Sequence, residues 1–237
     1  MNTSSHLFFD LDRTLWDFER NSQQALRILY AELNIQEKIG NFYDFYHKYK
    51  NINSDLWVAY GRGKITKDEL RNTRFEKTLH KFGIVDEELN QALNNGYIDI
   101  SPDQTHILPF AIETLTELKK DGFNLHIITN GFKEVQHRKL KNCGFDAFFD
   151  VIVCSEEIGK NKPAPEVFHH AMQQAGAIPS KSVMIGDDFQ VDIIGGNNAG
   201  MRTILFDPED RYRRRKGDYH IKSLNEIPGI LPWVFRD

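Results

Sequence analysis

The sequence predicts an α/β fold: a parallel sheet whose first strand is separated from the others by an all-helical insert. Three observations lead there. Short apolar runs rich in Val, Ile and Phe recur along the chain, as strands buried on both faces require. Helical stretches alternate with the last four of these runs, which is the pattern of βα units. After the first run, about a hundred residues carry no comparable strand signal.

In chain order, the first strand is expected at Leu7 to Phe9. From Phe18 to about Thr105 the pattern is helical, with Ala25, Leu26, Leu29 and Leu33 at helix spacing, aromatic residues crowded between Phe42 and Tyr49, and a turn at Gly61 and Gly63. Thr66 and Glu69 have the form of a capping box, in which each side chain satisfies the other's backbone N–H and opens a helix. No repeat, low-complexity tract or Gly/Ser linker interrupts this stretch, so it is expected to pack as a domain. Strands follow at Leu125 to Ile128, Val151 to Cys154, Val183 to Ile185 and Thr203 to Phe206. Helices fall at Ala111 to Lys120, closed by Asp121-Gly122, and at Glu166 to Gln174, closed by Gly176.

Composition narrows the function classes. The 237 residues carry 30 Lys plus Arg against 34 Asp plus Glu, a net charge of −4, which disfavours a nucleic-acid polymer as partner. At 40 % hydrophobic and 27 % charged the chain resembles folded soluble domains, not disordered ones. No apolar run approaches the roughly 18 to 20 residues of a membrane span, and the first residues lack a signal-peptide pattern, so a cytoplasmic protein without membrane partners is expected. Cys143 and Cys154 lack CxxC spacing and are expected to be small buried hydrophobes. The basic run from Arg211 to Lys216, flanked by acids, reads as a solvated loop.

The chemistry gathers where polar residues follow strands. In LFFDLDRTLWDF, Asp10 and Asp12 interrupt an apolar run, and burying carboxylates is costly without compensation. Thr129, Asn130 and Gly131 follow the second run. Lys162 stands before Pro163 ahead of a helix. Asp187 and Asp188 follow the fourth run, and Asp192 lies five residues beyond Asp187. Open α/β sheets bind ligands beyond the carboxyl ends of their strands, so these four segments can converge. Together they offer carboxylates for a hard cation, a lysine and a hydroxyl for an anion, and an Asp placed to attack. Oxygen ligands without His or Cys suit Mg²⁺. With a phosphate dianion, Mg²⁺ and charged Lys162, the site comes close to balance if Asp12 is neutral, the state a general acid needs.

Asp10-Leu11-Asp12-Arg13-Thr14, Thr129 with Asn130 and Gly131, Lys162-Pro163, and Gly186-Asp187-Asp188 with Asp192 resemble, in order, the four motifs of the haloacid dehalogenase superfamily of phosphohydrolases. The resemblance covers nearly the whole chain. It implies a Rossmann-like core over residues 1–17 and 106–237, with residues 18–105 as a helical cap. Within the superfamily, Asn53-Ser54-Asp55-Leu56-Trp57, Tyr60, Gly63 and Arg74-Phe75 resemble the capped 5′-nucleotidases of pyrimidine nucleoside monophosphates. Trp57 and Phe75 suit ordinary core as well as a nucleobase platform. One departure is Pro109-Phe110, where many relatives have Pro-Gly.

The resemblance implies a small phosphate monoester as substrate, a nucleotide above all, cleaved through an aspartyl-phosphate on Asp10 with Asp12 as general acid and base. It implies Mg²⁺ held by Asp10, the backbone carbonyl of Asp12 and Asp187. Thr129, Asn130, Gly131 and Lys162 would bind the phosphate, with Asp188 and Asp192 supporting the metal or Lys162. Alternatives on the same fold are a sugar-phosphate phosphatase or phosphomutase. A dehalogenase would have no use for the acid at Asp12, and a phospho-accepting signalling module would have no use for a cap.

Overall fold

The computed structural model describes residues 5–213 and 218–236. Two compact units emerge: one gathers the chain up to Phe18 and from Thr105 onward, the other is Glu19–Gln104.

The first unit is built on a six-stranded, all-parallel sheet of the Rossmann type. Its strands are β1 (His6–Phe9), β2 (Asn124–Thr129), β3 (Val151–Cys154), β4 (Ser182–Gly186), β5 (Arg202–Phe206) and β6 (Tyr219–Ile221), in the order β3-β2-β1-β4-β5-β6. Successive side chains of a strand face opposite ways, and both faces here are apolar. Leu7 and Phe9 join Leu125, Ile127, Val183 and Ile185 in one cluster, whereas Phe8 joins Ile128 and Met184 in another. Leu115 and Leu118 of one helix (Ala111–Lys120), with Leu140 of a second (Lys133–Asn142), pack the first face; Val167 and Phe168 of a third (Pro165–Ala175) pack the other. The five expected strands are all present. The sixth was missed, because three residues with a single buried side chain carry almost no apolar signal.

The second unit is helical: α1 (Phe18–Glu32, from its second residue), α2 (Gln36–Ile39), α3 (Phe42–Gly61), α4 (Lys67–His80) and α5 (Glu87–Ile100). In chain order the helices of the first unit are then α6 (Ala111–Lys120), α7 (Lys133–Asn142), α8 (Pro165–Ala175), α9 (Ile194–Asn198) and α10 (Ile227–Val234). The capping box opens α4 as the pattern required: Glu69 N–H donates to Thr66 Oγ1 at 3.1 Å, and Thr66 N–H to Glu69 Oε2 at 2.7 Å. Of the aromatic crowd, Phe42, Phe45, Tyr46 and Tyr49 are core, whereas Tyr43 is exposed. Phe75 is fully buried and stacks on Tyr49 at 4.9 Å between ring centroids, so of the two candidate platform rings it belongs to the interior, while Trp57 is half-buried against the edge of Tyr60. Among the described residues, no helix is long and apolar enough to cross a membrane.

Candidate active site

Phe9 is in register with both Ile127 and Ile185, so the carboxyl ends of β2, β1 and β4 lie side by side. The strand order reverses between β1 and β4, and a crevice opens beyond the strands at such a reversal. Asp10 leaves β1 there, its N–H bonded to the Ile185 carbonyl at 2.9 Å.

Lys162 comes to this edge from the loop before α8 and is 1 % exposed. A buried ammonium needs oxygen partners for its protons, and it has three. Nζ donates to Asp10 Oδ1, Asp192 Oδ1 and the Ile128 carbonyl, each at 2.7 Å. Burial works against the charge of Lys162, but Asp10 and Asp192 outweigh it and hold the lysine above its ordinary pKa. Asp192 can reach it only because residue 186 is glycine: a Cβ there would lie 2.2 Å from Asp192 Oδ2.

One carboxylate oxygen each from Asp10, Asp187 and Asp192 lies within 4.8 Å of the others. Burial pushes their pKa values up, to about 7 for Asp10, about 7 for Asp187 and about 6 for Asp192. Lys162 opposes the rise at Asp10 and Asp192, and neighbouring carboxylates add to it at all three. Three buried acids beside Lys162 and the part-exposed Arg211 still leave surplus negative charge, and the donors are hard oxygens, a set that fits a divalent cation such as Mg²⁺. Asp192 already accepts from Lys162 and, through Oδ2, from the Asp188 N–H at 3.1 Å, so Asp10 and Asp187 are the carboxylates left to face a cation.

Several expected roles change. The Asp12 side chain is held by helix α7: Oδ1 accepts from Lys139 Nζ at 2.6 Å and Oδ2 from Gln136 Nε2 at 2.9 Å. With both carboxylate oxygens so engaged, the backbone carbonyl is still the group by which Asp12 is expected to meet a metal. The Lys139 cation, absent from the charge balance drawn on sequence, adds a positive charge directly beside Asp12. Asp188 is a turn cap, with Oδ1 accepting from the N–H groups of Gln190 and Val191 at 2.8 and 2.9 Å; Asp192 is the member of the pair that holds Lys162.

The Asn130 carboxamide is spent on the Lys162 backbone, donating to its carbonyl at 3.0 Å and accepting from its N–H at 2.8 Å. Gly131 N–H donates to Thr129 Oγ1 at 3.1 Å. Arg211 is no merely solvated residue: Nη2 donates to Asp187 Oδ2 at 3.1 Å, while 214–216 of that basic run lie outside the described residues. Cys154 is buried but Cys143 only partly so. Both are free, with thiols pushed up by burial to about 12 and about 11, which keeps them unreactive.

Gln136, Lys139 and Arg211 were not anticipated. Gly131 was the available signal for the first, since a Cβ there would meet Gln136 Nε2 at 2.2 Å.

Comparison with known proteins finds a family and several relatives. The profile of the haloacid dehalogenase-like hydrolases matches residues 7–206. The chain is 32 % identical to the pyrimidine 5′-nucleotidase YjjG of Escherichia coli, over 95 % of this chain and 96 % of that protein. It is 32 % identical to the pyrimidine 5′-nucleotidase PynA of Streptococcus pneumoniae, over 95 % of this chain and 94 % of that one. Among solved structures, the HAD-hydrolase YfnB of Bacillus subtilis, bound to magnesium, superposes with a TM-score of 0.87 at 31 % identity, covering 98 % of this chain and all (100 %) of that one.

Proposed function

Since the chain belongs to the haloacid dehalogenase-like hydrolase family and is a phosphoric monoester hydrolase within it, we propose that it hydrolyses nucleoside 5′-monophosphates, pyrimidine ones foremost, in a Mg²⁺-dependent reaction through an aspartyl-phosphate on Asp10. The observation that carries this reading is the buried set of Asp10, Lys162, Asp192 and Asp187, with Asp12 two residues beyond Asp10 on the same loop. The pyrimidine preference draws support from the relatives' names.

Asp10 is the nucleophile. Lys162 keeps it anionic and aimed, and its Asp10-facing N–H is the one a phosphoryl oxygen can take over. As the bond from Asp10 to phosphorus forms, the ester P–O bond breaks and Asp12, entering this step protonated, passes its proton to the departing oxygen. Water then attacks phosphorus, the bond to Asp10 breaks, and the water's proton returns to Asp12. Thr129, whose Oγ1 already accepts from Gly131 and Gln136, keeps its hydroxyl proton for a phosphoryl oxygen. Mg²⁺ bound by Asp10, Asp187 and the Asp12 carbonyl would offset the charge of the ester's oxygens. A halide departs without a proton, so Asp12 favours phosphate esters over a dehalogenase reaction. The helical unit, residues 18–105, is proposed as the cap, and the protein as a cytoplasmic one.

The test is phosphate release from a panel of nucleotides and sugar phosphates, with and without chelator, for wild type and Asp10→Asn. The expected result is reversible silencing by chelator, turnover led by pyrimidine monophosphates, and no turnover by the folded variant. Wild-type phosphate release by Asp10→Asn would remove the nucleophile assignment. Turnover of hexose phosphates with none of pyrimidine monophosphates would remove the nucleotide.

A further inference from the structure

Helix α7 begins four residues after Thr129, and two of its residues, one turn apart, face the Asp12 carboxylate. Gln136 is fully buried and Lys139 is 4 % exposed. Lys139 Nζ donates to Asp12 Oδ1 at 2.6 Å and lies 4.0 Å from the centroid of the Trp16 ring. Gln136 Nε2 donates both to Asp12 Oδ2 at 2.9 Å and to Thr129 Oγ1 at 2.7 Å. Each carboxylate oxygen of Asp12 thus has its own donor, and both donors stand on one rigid element.

Burying a lysine on a helix is expensive, and exposing it would have been easy on a segment as polar as this one. The indole face of Trp16 lines the ammonium on one side and Asp12 accepts a hydrogen bond from it on another, which fixes where Nζ sits. Gln136 carries a cost as well, for its buried Oε1 has no partner among the described residues. A side chain retained with one end unsatisfied is held for what its other end does. The glycine at 131 makes the room it occupies.

We propose that Gln136 and Lys139 are positioning residues for Asp12: together they fix the plane of its carboxyl group so that it meets the departing ester oxygen, and through Gln136 they tie that orientation to Thr129. This rests on the acid role proposed above for Asp12. The pair makes no contact with the reacting atoms; it sets the direction from which the proton is delivered. Misdirection by even 1 Å costs about 100-fold in reactions that depend on alignment.

The experiment measures release of the leaving group in a single turnover with Mg²⁺-loaded enzyme in excess, so that only the first displacement is read. Two substrates are compared: uridine 5′-monophosphate, whose alkoxide must be protonated as it leaves, and 4-nitrophenyl phosphate, whose phenolate needs no proton. Lys139→Met is expected to slow release from the nucleotide about 100-fold and from the aryl ester less than about tenfold, with Lys139→Arg restoring most of the difference. Gln136→Met, measured in parallel, is expected to show the same selectivity with a smaller loss, and it carries the test if Lys139→Met does not fold by thermal unfolding.

Equal losses on both substrates, or no loss on either, would overturn the positioning role. Asp12→Asn serves as the reference. If it too slows both substrates equally, the acid role itself fails; if it discriminates and the α7 variants do not, only the present inference fails.

Discussion

Asn130 clamps Lys162 by its backbone: the carboxamide gives one hydrogen bond to the lysine's carbonyl and takes one from its N–H, at 3.0 and 2.8 Å. The loop after β2 thereby fixes the loop before α8, and the ammonium that faces Asp10 is located from both sides. Replacing Asn130 by Ala removes both bonds and is expected to cost about 1–2 kcal/mol of stability. It should lower kcat by about 10- to 100-fold because Lys162 loses its aim. Asn130→Asp keeps the acceptor but turns an oxygen toward the carbonyl, and should fare no better. Urea midpoints and steady-state rates decide it; a variant with the wild-type kcat would mean the clamp does not locate the lysine.

The three clustered acids give metal binding a definite pH dependence. Asp10, Asp187 and Asp192 have folded-state values of about 7, about 7 and about 6, above the 3.8 of a free Asp. Between about pH 4 and 7 the folded chain holds protons that the unfolded chain has lost, so without metal these groups lower stability as pH rises through that window. A divalent cation replaces those protons. The gain in Tm from Mg²⁺ should therefore be larger at pH 8 than at pH 5, and chelator should abolish it at both. A gain of the same size at the two pH values would place the cation elsewhere.

What could be read in the sequence follows from what burial forbids. Asp10 and Asp187 stood out because a charge at the end of an apolar strand must have a partner, and Lys162 because it stands before Pro163 ahead of a helix. The strands stood out because residues such as Phe8 and Phe9, pointing opposite ways, are both buried. Lys139 did not, since it sits in KEVQHRKLKN among other basic residues, where a solvated helix face is the ordinary reading. Arg211 was hidden in the same way. The use of the Asn130 side chain against the Lys162 backbone depends on two loops far apart in sequence, and nothing local encodes it. β6 was lost because it lies at the sheet's edge with one buried side chain, Ile221.

Between the start of β1 and the middle of β2, His6 Nδ1 and His126 Nε2 lie 3.0 Å apart, with His126 also packed on the ring of Phe8 at 4.7 Å. Burial, with the neighbouring His6 adding, lowers His126 to about 4 from 6.5. The sign is opposite to that of the acids. The unfolded chain takes up a proton as pH falls below about 6.5 and the folded chain does so only near 4, so this contribution is complete above 6.5 and lost on acidification. The difference in urea midpoint between wild type and His126→Phe isolates it from the carboxyl groups. That difference should change steadily between pH 7 and 4.5 in favour of the variant; a flat difference would show that the histidine does not titrate out of step with the unfolded chain.

Phe110 precedes α6 with φ 66° and ψ 9°, the left-handed region, and its ring is 46 % exposed. The family resemblance leads to an expectation of glycine here, and the backbone adopts a conformation that glycine takes without steric cost. For an L-residue that conformation costs about 1–2 kcal/mol, against the roughly 0.5–1 kcal/mol of extra chain entropy that glycine gives up on folding. Phe110→Gly and Phe110→Ala both remove the ring, so their difference measures the backbone alone. Glycine is expected to be the more stable of the two by about 0.5–1 kcal/mol, read from urea midpoints at constant m. If the alanine variant equals it, the chain relaxes to negative φ at this junction, and the left-handed turn is not imposed by the start of α6.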